Sequence, residues 1–363
     1  MSLRVNFLGN ICNSSYDIAR FLRKRGVEAR VWFSNTKDIR YRPEAEDPEL
    51  KEGYPEWITS FNLPKWRYRF FSKQTWNLLH ELGDCDVIHT FQNGPVFAMF
   101  TQRPYVFMNS GVDFYQAPFE RGSLESRVGA FLMRMGLRRA KRLLIGNPTM
   151  LLVQQAIERL QIKNIDYLPI PIDTEKFAPY NAHKKAALRA PYDCDFIFFH
   201  PTRQVWDLKG NDRLLRAYAR FVQETGARCL LIAVRANYER GDGPKLVEEL
   251  GIQQHVRWIN HVARHELIDY YNLADIVFDQ FVVGSFGMGA VEAWSCGAPV
   301  FIYLHDHRPW YPQNPPAVNV STEQEIYEKL IALCEDRQQL ATLGVRSREW
   351  ALQYHGGDTV IDR

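Results

Sequence analysis

The chain has 363 residues, 46% hydrophobic and 24% charged, enough for two globular domains that each bury a core. A formal net charge of +3 gives no reason to expect nucleic acid as the main partner. Cys12, Cys85, Cys194, Cys229, Cys296 and Cys334 are scattered without paired or zinc-like spacing, which argues against a disulfide scaffold and reads as free thiols of a cytoplasmic protein.

The N-terminus runs directly into the apolar stretch Val5 to Leu8, without the pattern of a signal peptide. No apolar run reaches the roughly eighteen residues of a membrane-spanning helix. Strands are expected near Arg4 to Leu8, Glu28 to Phe33, Val87 to Thr90, Tyr105 to Met108, Leu143 to Ile145 and Asp166 to Leu168. Between them fall helices such as Ser15 to Arg25 and Leu124 to Ala140. The polar, basic segment Tyr180 to Asp193 lacks apolar periodicity and reads as a linker.

Beyond it, strands are expected near Asp195 to His200, Arg228 to Ala233, Val256 to Trp258, Ile276 to Phe278 and Pro299 to Tyr303. Helices fall near Asn211 to Glu224, Pro244 to Leu250, Arg264 to Leu273, Gly287 to Cys296 and Glu323 to Cys334. This alternation is the pattern of parallel sheets with crossover helices, so the fold class is α/β with two Rossmann-like, doubly wound domains. The first is assigned 1–178 plus a returning helix at about 348–363, and the second 179–347. Ligands of such domains bind at the carboxyl ends of the strands, which makes a central cleft between them the expected site.

Arg203 and Lys209 follow the strand ending at His200, ahead of Gly210 and a helix start at Asn211. A guanidinium offers forked donors and an ammonium a compact charge, so the pair suits a diphosphate; the alternative is two solvated cations in a surface loop. Further on, Gly284, Gly287 and Gly289 cluster where a loop becomes a helix. Such a start presents free N–H groups and the positive end of the helix dipole, which selects Ser285, Phe286, Gly287, Met288 and Gly289 as anion-binding candidates. Glu292, inside that helix, suits ribose hydroxyls, or is merely an acidic charge near the helix N-terminus.

These segments resemble the retaining glycosyltransferases of family 4, and the likeness covers almost the whole length. Tyr167 to Pro179 is similar to the family's passage out of its N-terminal domain. Arg203 and Lys209 match the arginine and lysine that hold the donor diphosphate, at slightly longer spacing. Gly284 to Val300 is similar to the family's paired-glutamate motif around a Phe-Gly turn: Glu292 stands at the second glutamate and Gly284 replaces the first. Val106 to Asp113 resembles a loop in which many members carry His-Gly and a following aspartate; Ser110 takes the histidine's place and Asp113 is retained, so no histidine base is expected.

The resemblance implies a GT-B fold. It also implies transfer of a sugar from a nucleotide sugar, a UDP-sugar or GDP-sugar, to a glycan, lipid-linked or small-molecule acceptor, with retention of configuration. Stabilisation of the leaving diphosphate would fall to Arg203, Lys209 and the amides after Phe286, with Glu292 beside them. Asn260, His261 and Val262 stand where the family meets the nucleobase through backbone groups. No cofactor or metal is expected.

On the acceptor side, the turn with Gly9, Asn10 and Asn13 offers small residues and amides to phosphate or sugar hydroxyls; equally, it is a strand-to-helix turn capped by Ser14 or Ser15. Trp57, Trp66, Tyr68, Phe70, Phe71 and Trp76 interleave with Lys65, Arg67, Arg69 and Lys73, a mixture suited to sugars and anionic carriers. Leu124, Val128, Phe131, Leu132 and Met135 form a helical stripe beside Arg127, Arg134, Arg138, Arg139, Lys141 and Arg142. That stripe is either core with a solvated basic remainder or a contact with the anionic inner face of the membrane.

Asp84 with Asp86, and Asp193 with Asp195, imitate an Asp-x-Asp metal motif but precede strands in loops away from the expected cleft, and His305 to His307 imitates a ligand cluster without a third or fourth ligand at useful spacing. The readings left beside a transferase are a GT-B nucleotide-sugar epimerase or sugar phosphorylase, or a non-catalytic sugar-binding descendant motivated by Gly284 and Ser110.

Overall fold

The computed structural model describes residues 2–35, 41–62, 72–146, 150–235, 240–260 and 262–363. Packing divides the chain into unit 1, Met1–Pro171 with Val360–Arg363, and unit 2, Ile172–Thr359.

Unit 1 is built on a parallel sheet of β1 (Arg4–Leu8), β2 (Glu28–Ser34), β3 (Ile58–Phe61), β4 (Val87–Thr90), β5 (Tyr105–Met108), β6 (Arg142–Ile145) and β7 (Ile165–Tyr167). Their order is β3-β2-β1-β4-β5-β6-β7, so the chain reverses direction across the sheet between β1 and β4. Unit 2 repeats the plan with β8 (Phe196–His200), β9 (Cys229–Arg235), β10 (Val256–Asn260), β11 (Ile276–Phe278), β12 (Val300–Ile302) and β13 (Val318–Asn319), ordered β10-β9-β8-β11-β12-β13. Its reversal lies between β8 and β11. In a doubly wound sheet the loops leaving two such strands diverge and open a crevice, which in unit 2 is flanked by the loops after β8 and β11.

The central strands are continuous apolar runs because helices cover both faces. Every residue of β8 is buried, and Phe198 meets Tyr218, Phe221 and Phe278 edge-on. In unit 1 the matching core gathers Phe97, Phe107, Phe114, Met133 and Leu137.

Three differences from the sequence reading have physical causes. Within the segment read as a linker, Ala182–Arg189 is a helix, capped by the Asn181 side chain accepting from Lys184 N–H at 2.9 Å. None of its residues is buried, so it carries no apolar stripe to read. The helical stripe at Leu124, Val128 and Phe131 does not form core: helix Leu124–Arg139 buries Ala130, Met133, Gly136 and Leu137 instead. Helix Arg337–His355 groups with unit 2, where Trp350 lies against Trp294 and Tyr311; only Val360–Arg363 group with unit 1. The division falls at Ile172, whose N–H binds the His355 carbonyl at 2.8 Å.

Candidate functional site

β8 ends on His200, whose buried ring sets Nδ1 2.8 Å from the Phe278 carbonyl and Nε2 2.7 Å from the Asn211 amide nitrogen. Burial lowers its pKa to about 4, outweighing the Phe278 hydrogen bond, so the imidazole is neutral at neutral pH. Asn211 also accepts the Val205 N–H at 2.9 Å. These bonds brace the loop 201–210, which holds Arg203 and Lys209. Gly210, at φ +66°, brings this loop against the next: a β-carbon there would stand 3.2 Å from Phe281 Cβ, and the Phe281 N–H binds the Lys209 carbonyl at 2.8 Å.

Lys209 Nζ donates to Gln280 Oε1 at 2.6 Å, and Gln280 Nε2 donates to the Ser285 carbonyl. One buried amide therefore joins the Lys209 cation to the glycine-rich turn. Burial pulls the ammonium below its ordinary value, with Asp279 opposing and Arg203 reinforcing. Asp279 is buried too, and among the described residues its Oδ2 has no hydrogen-bond partner. Burial pushes its carboxyl up, against the pull of Lys209 and the Gly287 N–H. Arg203 is exposed and, among the described residues, has no ion-pair partner.

Gly284 opens the turn at φ +71°, with its carbonyl accepting from His305 N–H at 2.9 Å. Phe286 anchors the turn in an aromatic cluster with Trp294, His307, Tyr311 and Trp350. Its side chain is thus packing, and its backbone sets the helix entry. Gly287 caps helix Met288–Ser295 in an extended conformation, with nothing within 4 Å of the direction a side chain would take. Gly287, Met288 and Gly289 are all partly exposed; the N–H groups of a helix's first turn lack partners within the helix, and that of Gly287 is engaged by the Asp279 carboxylate.

Glu292 sits deeper. Its carboxylate accepts from Arg264 Nε at 2.6 Å and from the Tyr271 hydroxyl at 2.9 Å, all three residues being buried. The pair ties helix Met288–Ser295 to helix Arg264–Leu273. Asn260 ends the edge strand β10 and Val262 follows it; His261 lies outside the described residues. The structure therefore brings Lys209 together with the 284–289 turn and keeps Arg203 in the same loop.

In unit 1, Gly9 takes φ +93° beside Phe91 and Gln92. Asn10 and Asn13 are buried: Asn10 Nδ2 donates to Asn13 Oδ1 at 2.8 Å, and Asn10 Oδ1 accepts the Tyr16 N–H. Ser15 donates to the Gly9 carbonyl, so neither serine caps the helix. Ser110 donates to Asp113 Oδ2 at 2.6 Å, and Asp113 also accepts the Ser110 and Gln92 N–H groups, each at 3.2 Å. Burial raises the Asp113 carboxyl against those hydrogen bonds. The aromatic and basic residues at 65–71 lie outside the described residues.

The metal look-alikes are ion pairs. Arg4 holds Asp84 at 2.8 Å, Arg228 holds Asp193 and Asp195 at 2.8 Å, and Arg308 holds Asp306 at 2.9 Å. Sequence reasoning passed over Asp279 and Gln280. The available signal was a pair of polar residues directly after a fully buried strand, in the loop where the chain reverses.

The family profile described as Glycosyltransferase Family 4 matches residues 13–176, and that described as Glycosyl transferases group 1 matches residues 190–350. The D-inositol 3-phosphate glycosyltransferase of Saccharomonospora viridis is 35% identical over 138 residues, 36% of this chain and 32% of that protein. Its counterpart in Frankia alni is 27% identical over 272 residues, 69% of this chain and 63% of that protein. The chain thus spans about a third of the first relative's length, at 32%. Among solved structures, Anabaena Alr3699/HepE in complex with UDP-glucose superposes with a TM-score of 0.73 at 17% identity, over 99% of this chain and 97% of that one. Sucrose-phosphate synthase from Thermosynechococcus elongatus gives a TM-score of 0.71 at 16% identity, over 99% and 96%.

Proposed function

Because the chain belongs to the family 4 glycosyltransferases, with two Rossmann-like units of the GT-B type, we propose that it moves a sugar from a nucleotide sugar held by unit 2. The observation that carries this reading is the Lys209–Gln280–Ser285 link. It supports a reading in which a cation and the N–H groups of a helix start share one crevice, with Arg203 on the same loop as Lys209. Two cations and aligned amides suit a diphosphate and a leaving group whose charge grows as the sugar departs. UDP and UDP-glucose in the Anabaena neighbour make UDP-sugars the first donors to test, ahead of GDP-sugars.

The reaction retains configuration at the anomeric carbon. The bond from that carbon to the donor phosphate oxygen breaks, its electron pair staying on the phosphate. The acceptor oxygen bonds to the same face and gives its proton to a phosphate oxygen. Arg203, Lys209 and the helix amides supply positive field at that oxygen, so a metal ion is not required. The acceptor, a glycan, lipid-linked or small molecule, is met by unit 1 near Ser110 and Asp113.

Unit 1 also supports contact with an anionic membrane face. Leu124 and Phe131 are 77% and 56% exposed, and with Arg121, Arg127, Arg134 and Arg159 they line a hollow of about 590 Å³. Among the described residues, no helix is long and apolar enough to cross a membrane.

Incubation with a panel of nucleotide sugars and acceptors, read by proton NMR at the anomeric position, tests the reading. Acceptor-dependent release of nucleoside diphosphate with an unchanged anomer supports it. Donor turnover without acceptor points to an epimerase, and binding without turnover points to a sugar-binding protein.

A further inference from the structure

Gln280 stands out in unit 2 because it is buried, polar and bonded at both ends of its amide to the two halves of the anion crevice. Its Oε1 accepts the Lys209 ammonium at 2.6 Å, and its Nε2 donates to the Ser285 carbonyl. Its own backbone is fixed as well, since the Gln280 carbonyl accepts the Tyr303 N–H at 2.8 Å. The side chain thus spans from the loop after β8 to the turn that starts helix Met288–Ser295.

We propose that Gln280 is a positioning residue for the donor diphosphate, setting the Lys209 ammonium in register with the helix amides while leaving its charge uncancelled. This rests on the reading of that crevice as the donor site. A lysine side chain has several free torsions, and holding its head group costs entropy that a fixed acceptor offsets in advance. The choice of acceptor matters. A carboxylate at that distance would orient the ammonium equally well but neutralise it, and a diphosphate would have to compete with it. A neutral amide orients without neutralising.

Asp279 supports this reading. It is the neighbouring residue, buried beside the same cation with one oxygen unpartnered, yet the hydrogen bond from Lys209 goes to the amide. Asp279 attracts the ammonium through space, but burial pushes its carboxyl up toward the neutral form, and the hydrogen bond that orients Lys209 is the one to the uncharged amide. Ser285 gains too. Its carbonyl is occupied by Gln280 Nε2, which fixes the peptide plane two residues before Gly287.

The test uses the full chain and two substitutions of similar volume. Gln280→Met removes both hydrogen bonds, and Gln280→Glu keeps an acceptor for Lys209 but adds charge and loses the donor to Ser285. Calorimetric titration with UDP and with UMP reads the effect on the second phosphate separately from the rest of the nucleotide. Gln280→Met is expected to weaken UDP about tenfold while leaving UMP within about twofold, and Gln280→Glu to weaken UDP further. If Gln280→Met does not fold, the isosteric Gln280→Glu carries the comparison alone.

Equal losses for UDP and UMP, or no loss for either, would overturn the proposal. Lys209→Met run alongside separates the two ideas. If it leaves UDP affinity unchanged, the crevice is not the donor site. If it weakens UDP and the Gln280 variants do not, the site stands and the role of Gln280 falls.

Discussion

The imidazole of His305 occupies the space over Gly284: its Cδ2 lies 2.1 Å, and its Nε2 2.2 Å, from where a β-carbon on residue 284 would stand. Glycine is favoured at this position by its own φ of +71°, and a side chain there would also have to displace the exposed His305 ring. Gly284→Glu, which puts in the residue that the resemblance leads one to expect, should lose about 1–2 kcal/mol from the left-handed backbone alone, with a further loss from displacing His305. His305→Gly in the same background should return only the steric part. Urea unfolding of the three proteins checks this, and a Gly284→Glu variant as stable as the wild type would contradict it.

Arg203→Ala and Lys209→Met are each expected to lower kcat/KM about 10² to 10³-fold, the scale of one lost charged contact to a developing oxyanion. Because the Arg203 side chain is exposed, its variant should unfold at nearly the wild-type temperature. Steady-state kinetics beside a thermal melt separates lost chemistry from lost fold.

Arg264→Met leaves the Glu292 carboxylate buried without its cation, which is expected to cost about 3–5 kcal/mol. The pair is only 2.6 Å long, with both side chains under a tenth exposed. Denaturant titration is the check: a midpoint close to wild type would mean that the pair does not hold the two helices together.

His200 gives the fold a dependence on acid. Its pKa is about 4 in the folded chain against an ordinary 6.5, a depressed value. The unfolded chain therefore binds a proton that the folded chain refuses. The contribution is complete above pH 6.5 and is lost as pH falls from there through about 4. The loss is on the order of 3 kcal/mol. His89, lowered to about 3 by burial, acts in the same direction in unit 1. Thermal melts between pH 7 and pH 4 should fall less steeply for a folded His200→Gln variant than for the wild type.

Replacing Leu124 and Phe131 together by glutamate removes the two most exposed apolar side chains of the unit 1 helix and weakens its positive charge. Sedimentation with phosphatidylglycerol vesicles is expected to fall to the level seen with phosphatidylcholine vesicles, while nucleotide binding in solution stays unchanged. Wild-type protein that ignores phosphatidylglycerol would remove membrane contact from the proposal.

The central strands were legible because they are buried on both faces. Phe196 to Phe199 reads as an unbroken apolar run, and the loop that follows the strand could be placed from that alone. The strand Ile58–Phe61 left little trace, being short and only partly buried, and helix Ala182–Arg189 left none because nothing in it is buried. For the site, Arg203, Lys209 and the glycine cluster could be read from their place after strands. The bond from Lys209 to Gln280, the ring of His305 over Gly284 and the clasp of Arg264 on Glu292 are contacts between residues distant in sequence, and no local pattern announces them.

A crystal structure of the chain with a bound nucleoside diphosphate tests the donor site most directly. The phosphate oxygens are expected within hydrogen-bond distance of the Arg203 guanidinium, the Lys209 ammonium and the N–H groups at 287–289. A diphosphate bound elsewhere, with Lys209 still closed onto Gln280 alone, would contradict it.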